Sequence, residues 1–75
     1  MELTAALNAI AGTTGLEAQG AANVIAGTDG LDLVAALNIV AGNTTYIELQ
    51  GVLNQLAGSS GLGLNAAATA WYESI

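Results

Sequence analysis

A short unit recurs along the chain at nearly constant spacing, and a period of that kind builds one small structural element stacked on its own copies. Gly12, Gly27, Gly42 and Gly58 each follow an alanine (Ala11, Ala26, Ala41, Ala57). Asn8, Asn23, Asn38 and Asn54 stand four residues before those glycines, and Glu2, Glu17, Asp32 and Glu48 stand six before the asparagines. The intervals are 15, 15 and 16 residues. A fifth copy opens at Leu62 and has Gly63 in place of the acid, Thr69 in place of the asparagine, and no closing glycine.

The apolar spacing inside each copy is helical. Leu3, Ala6, Leu7, Ile10 and Ala11 lie at i, i+3, i+4, i+7 and i+8, one face of a 3.6-residue period. The same frame yields Leu33, Ala36, Leu37, Val40 and Ala41, then Leu49, Val52, Leu53, Leu56 and Ala57, and ends on Ala67, Ala68 and Trp71. Each Ala-Gly pair reads as a stop, because glycine takes the left-handed C-cap conformation without a Cβ clash. Thr14-Gly15-Leu16-Glu17 and Thr45-Tyr46-Ile47-Glu48 have capping-box spacing. Asp29-Gly30-Leu31-Asp32 and Ser60-Gly61-Leu62-Gly63 are weaker forms. These signals predict a single all-α domain over residues 1–75: an array of five short helices near 2–11, 15–26, 30–41, 46–57 and 61–72. Connections that short make the helices fold back on one another, and the acids fall in the first turns, where the macrodipole favours negative charge.

Two further features follow from the frame. Ala5, Gly20, Ala35, Gly51 and Ala66 share one position. Glycine inside a helix costs roughly 0.5–1 kcal/mol relative to alanine, so Gly20 and Gly51 point to close approach of a neighbouring backbone. Ala9, Val24 and Ile39 lie beside that stripe and off the leucine face. Helices apolar on more than one side are sandwiched between neighbours or meet a partner.

Composition excludes several functions. The chain has no lysine, arginine, histidine or cysteine and a net charge of −6. Phosphate neutralisation needs basic side chains, so nucleic acid is not a partner, and anionic lipid is disfavoured for the same reason. With 53% hydrophobic residues the chain is expected to fold. Met1-Glu2-Leu3 lacks the positive start of a secretory signal. Residues 49–72 carry no charge, but Gln50, Asn54, Gln55, Ser59, Ser60 and Asn65 interrupt them, which argues against a membrane span.

No constellation supports catalysis. Ser59 and Ser60 have no histidine or lysine base. The runs Gly12-Thr13-Thr14-Gly15 and Gly58-Ser59-Ser60-Gly61 lack the lysine of a phosphate loop. Asp29 and Asp32 are too few for a calcium loop, and no cofactor or metal is expected. The repeated glycines Gly12, Gly27, Gly42 and Gly58 and asparagines Asn8, Asn23, Asn38 and Asn54 read as structural. Asparagine is a poor mid-helix residue, and its amide suits bridging the unpaired groups of the adjacent turn. Three aromatics remain. Trp71 and Tyr72 serve either as a plug over the last helix or as an anchor in a partner. Tyr46, the residue inserted in the third junction, is expected at a helix junction with its ring partly exposed or against a partner, and it joins Trp71 and Tyr72 as a candidate partner-binding residue.

The string LNAIAGTTGLEAQGAANVIAGTDGLDLVAALNIVAG resembles the short Ala-Gly-Thr helical repeats of small virion proteins of tailed phages, especially those of actinobacteria. The resemblance spans residues 2–71. Such repeats often carry Lys or Trp at their ninth and tenth positions, where this chain has Ala9-Ile10, Val24-Ile25, Ile39-Val40 and Gln55-Leu56. The resemblance implies a structural protein of the virion, made in the host cytoplasm, with no catalytic residues. Its implied partner is the major capsid protein, as a decoration or cement protein, or another virion protein in the tail. Homo-oligomerisation stays open, and a peptide- or glycan-binding adhesion module is the alternative from a different class.

Overall fold

In a computed structural model describing residues 1–75, five helices form: α1 (Leu3–Ala11), α2 (Ala18–Ala26), α3 (Leu33–Ala41), α4 (Leu49–Ala57) and α5 (Leu64–Glu73). There are no strands. The four glycine stops fall where expected: Gly12, Gly27, Gly42 and Gly58 are left-handed, with φ of 74°, 71°, 77° and 71°. In each, the residue after the glycine donates its N–H to the carbonyl of the repeat's asparagine, at 3.0 Å from Thr13 to Asn8 in the first. That is the Schellman closure.

The helix starts lie about three residues later than the capping boxes predict. Gly15, Gly30 and Gly61 also take positive φ, which ends any helical path at that point. The acids themselves are the N-caps. Glu2, Asp32 and Glu48 accept from the N–H groups of Ala5, Ala35 and Gly51 at 2.8, 2.8 and 2.7 Å. No acid sits in a first turn. Glu17 and Gly63 hold the cap position without a side-chain bond.

The third junction has no second glycine, and no non-glycine residue in the chain has positive φ. The extra residue is the reason. Thr44-Thr45-Tyr46 covers, with ordinary negative φ, the reversal that the other junctions make in one residue fewer through a left-handed glycine.

Neighbouring helices point the same way, contrary to the fold-back expectation. Gln19 and Gln50, in the first turns of α2 and α4, donate to Leu31 and Leu62 just before the next helices, at 3.0 and 2.9 Å. At the other end Asn43, just past α3, and Gln55 of α4 exchange two amide bonds of 2.8 Å. The reversal is made by the turns, which return the chain to its starting level.

Each helix therefore repeats the same step relative to the one before, and five steps close a ring. α5 packs on α1 as the other neighbours pack on each other, and the molecule is a disc of 27 × 27 × 17 Å. Thr69 Oγ1 donates to the Met1 carbonyl at 3.0 Å, and Leu3 N–H donates to Asn65 Oδ1 at 2.7 Å, across the closure. An open repeat array exposes two apolar ends that need capping units; closure removes both. The core lies at the centre and is small: Ala6, Leu7, Ala21, Ala22, Ala36, Leu37, Val52, Leu53, Ala67 and Ala68 are fully buried and Trp71 is nearly so. Two copies have alanine at the leucine position, Ala22 and Ala68, and the second of these brings the indole of Trp71.

Candidate functional site

The four asparagines are the most fully used side chains in the molecule. Asn8 Nδ2 donates to the Thr4 and Leu16 carbonyls at 2.9 and 2.8 Å. Its Oδ1 accepts from Thr13 Oγ1 at 2.8 Å and from Leu16 N–H at 3.0 Å. Asn23 repeats this with Gln19, Leu31 and Thr28, and Asn54 with Gln50, Leu62 and Ser59. Asn38 makes the same set with Val34, Ile47 and Asn43. Two donors and two acceptor sites are all that a side-chain amide has, so nothing remains for a ligand. The bonds clamp the extended residue ahead of the next helix, and they are buried at 5–8% exposure. The expected bridge to the adjacent turn is thus present in four copies. No buried side-chain nitrogen or oxygen lacks a partner.

The small stripe has a different cause from the one expected. A Cβ on Gly20 would meet only the Leu16 side chain, at 3.6 Å, in ordinary contact. On Gly51 it would lie 2.8 Å from Ile47 Cγ2 and 3.2 Å from Glu48 Oε1. Neither glycine faces a neighbouring backbone. Gly51 makes room for a β-branched residue at the clamped position, and Gly20 carries no such constraint.

Trp71 is 7% exposed and belongs to the core. The plug reading describes its place, and an indole this buried leaves little surface for a partner to anchor on. Tyr72 and Tyr46 are 41% and 64% exposed. Tyr46 sits at the α3–α4 junction as expected, with its hydroxyl 3.5 Å from Asp32 Oδ1. Lost hydration first, and the Asp32 carboxylate second, push its phenol pKa up. Val24 and Ile39, on α2 and α3, are also about half exposed. The core is complete without them.

One open groove recurs on three copies, between a helix and the turn that follows it. In α1 it is lined by Glu2, Ala5, Asn8, Ala9 and Thr13 among others. The equivalent residues Glu17, Gly20, Asn23, Val24 and Thr28 line the second, and Glu48, Gly51, Asn54, Gln55 and Ser59 the third. In the α2 groove Glu17 and Asp29 stand at the rim as carboxylates with no cation beside them. Backbone N–H groups of Ala5 and Thr4 hold the Glu2 carboxyl below the usual range. No cluster of three or more metal-ligating side chains occurs, and no helix is long and apolar enough to cross a membrane.

No family model, curated protein or solved structure matches the chain.

Proposed function

We propose that the protein is a non-catalytic structural component that docks on a larger protein assembly, in the first instance the outer shell of a phage capsid. The observation carrying this reading is the set of large apolar side chains that the ring does not use. Val24 on α2, Ile39 on α3 and Tyr46 in the α3–α4 junction are 49%, 52% and 64% exposed, and Tyr72 and Ile75 are exposed at the C-terminal end of α5. Exposed apolar side chains beside a complete core suit a protein contact, and aromatic residues are favoured contact anchors. The repeat type supports the virion setting through its resemblance to small virion proteins. The net charge of −6 suits a shell surface carrying basic residues. With no histidine, lysine or cysteine the chain lacks the usual groups for base or nucleophilic chemistry at neutral pH.

The test is co-sedimentation with purified capsids lacking the protein. Binding is expected, and Ile39→Glu should weaken it by about 2 kcal/mol, a typical hot-spot loss, with the circular-dichroism spectrum unchanged. A copy number comparable to the shell subunits identifies a decoration protein, and a much lower one identifies a tail component. Absence of the protein from virions overturns the reading.

The repeated grooves favour a second reading, an adhesion module for peptides or glycans. Glu17, Gln19, Thr28 and Asp29 offer the hydroxyl, amide and carboxylate groups that sugar hydroxyls pair with. Chemical-shift changes confined to those residues on adding oligosaccharides to the free protein would select it over docking.

A further inference from the structure

Four of the five helix–helix junctions are covalent and clamped by an asparagine; the α5–α1 junction is neither. We propose that this seam is an exchange surface between copies of the protein, with the segment Leu62–Ile75 of one chain closing the ring of a second copy and the reverse.

The seam imitates a covalent junction with weaker means. Thr69, at the asparagine position, makes one bond to the Met1 carbonyl, 3.0 Å long. The counterpart, Asn8, makes two bonds to Leu16 and two more to Thr4 and Thr13. The other seam bond runs from Leu3 N–H to Asn65 Oδ1. α5 also lacks the capping bond that three of its siblings have and the glycine stop that all four have. Its N-cap is Gly63, with no side-chain bond, and it ends at Ser74 in right-handed geometry without a left-handed glycine.

The occupant is a second copy because only this chain presents the matching register. A copy without its own α5 offers the α4 and α1 faces, the Met1 carbonyl and the Leu3 N–H. Its Asn54 also waits to clamp the incoming Leu62 N–H and carbonyl, which it holds within one chain at 3.0 and 2.9 Å. Placing the hinge at Ser59-Ser60-Gly61 lets every one of these bonds re-form between chains, while Ser59 Oγ keeps the bond to its own Asn54. Ser60 and Gly61 are exposed. The closed monomer differs from the exchanged dimer chiefly at Gly61, where it needs φ of +82°. Exchange of an identical element in this way is a low-cost route to dimers.

The seam bonds exist in both forms, so they set the rate of exchange and not its equilibrium; the hinge sets the equilibrium. Gly61→Ala strains the closed turn and leaves an extended hinge unstrained. It should raise the dimerisation constant at least several-fold, read by light scattering after chromatography of protein refolded near millimolar concentration. Gly15→Ala puts the same strain at a turn that does not open, and should destabilise the monomer without forming dimer. Thr69→Val should speed the return of isolated dimer to monomer on dilution. In mixed labelled and unlabelled dimers, intermolecular contacts should link α5 with α1 and α4. In the wild-type monomer, hydrogen exchange should release the α5 amides ahead of those of α3. The proposal is overturned if Gly61→Ala stays monomeric at every concentration, if Gly15→Ala dimerises equally, or if α5 and α3 amides exchange together.

Discussion

A side-chain amide in the middle of a helix is unfavourable until its tertiary bonds are counted. Asn38 holds both backbone groups of Ile47, and truncation to alanine strands them and also removes the bonds to Asn43 and to the Val34 carbonyl. Each stranded buried group costs roughly 1–3 kcal/mol, so Asn38→Ala should lower stability by about 2 kcal/mol or more in denaturant melts. The glycines of the small stripe make a contrasting pair. Gly20→Ala meets only ordinary contact and should stabilise by about 0.5–1 kcal/mol through the unfolded state. Gly51→Ala drives a methyl to 2.8 Å from Ile47 Cγ2, and should fall short of that gain or reverse it. Glu2 carries a pH dependence of known sign. Its folded pKa is depressed by the Ala5 and Thr4 N–H groups, so its cap contributes above the unfolded carboxyl pKa and fades as pH falls through the folded value. Glu2→Gln should flatten that component of an acid titration of stability.

At the scale of the element, the N-cap carboxylates do more than satisfy single N–H groups. Parallel neighbours place the positive ends of five helix dipoles on one face of the disc, where they repel. Anionic caps offset that charge, and the four acids of the repeat stand there. Glu48 bonds Gly51 N–H, whereas Glu17 makes no cap bond. Glu48→Ala should therefore cost about 1 kcal/mol and Glu17→Ala distinctly less, compared in the same thermal melts. The long third junction tests the turn. Replacing Thr45-Tyr46 with a single glycine recreates the length and left-handed position of the other junctions, and the far-ultraviolet helical signal should survive it.

The whole molecule depends on its centre. Its core is largely alanine, and the large fully buried side chains are Leu7, Leu37, Leu53 and Val52. Trp71 supplies volume that no other copy offers. Trp71→Ala should cost about 3–5 kcal/mol, the range for emptying a large aromatic site. For a domain of 75 residues with stability of typical size that is a large share of the total, so loss of cooperative melting is the expected result. Survival of an unchanged melt would show that the indole is not part of the core.

Local pattern alone determined the helix faces, the glycine stops and the role of the asparagines, because each depends on residues within one repeat and its neighbouring turn. The acids were visible as start signals. Their place at the cap, three residues beyond the threonines, depended on the left-handed Gly15 and Gly30, which a capping-box spacing does not reveal. Tyr46 was legible as an insertion, while the absent glycine beside it was the sign that the turn had changed its geometry. Trp71 had two readings in the sequence, and only its burial among side chains from other helices favoured the plug. Ring closure lay beyond any single repeat. It depends on the angle between successive helices, set by how residues such as Ala6, Ala21 and Ala36 let their neighbours approach. That angle is a property of packed side chains, and it brings Thr69 to Met1 across 68 residues of chain.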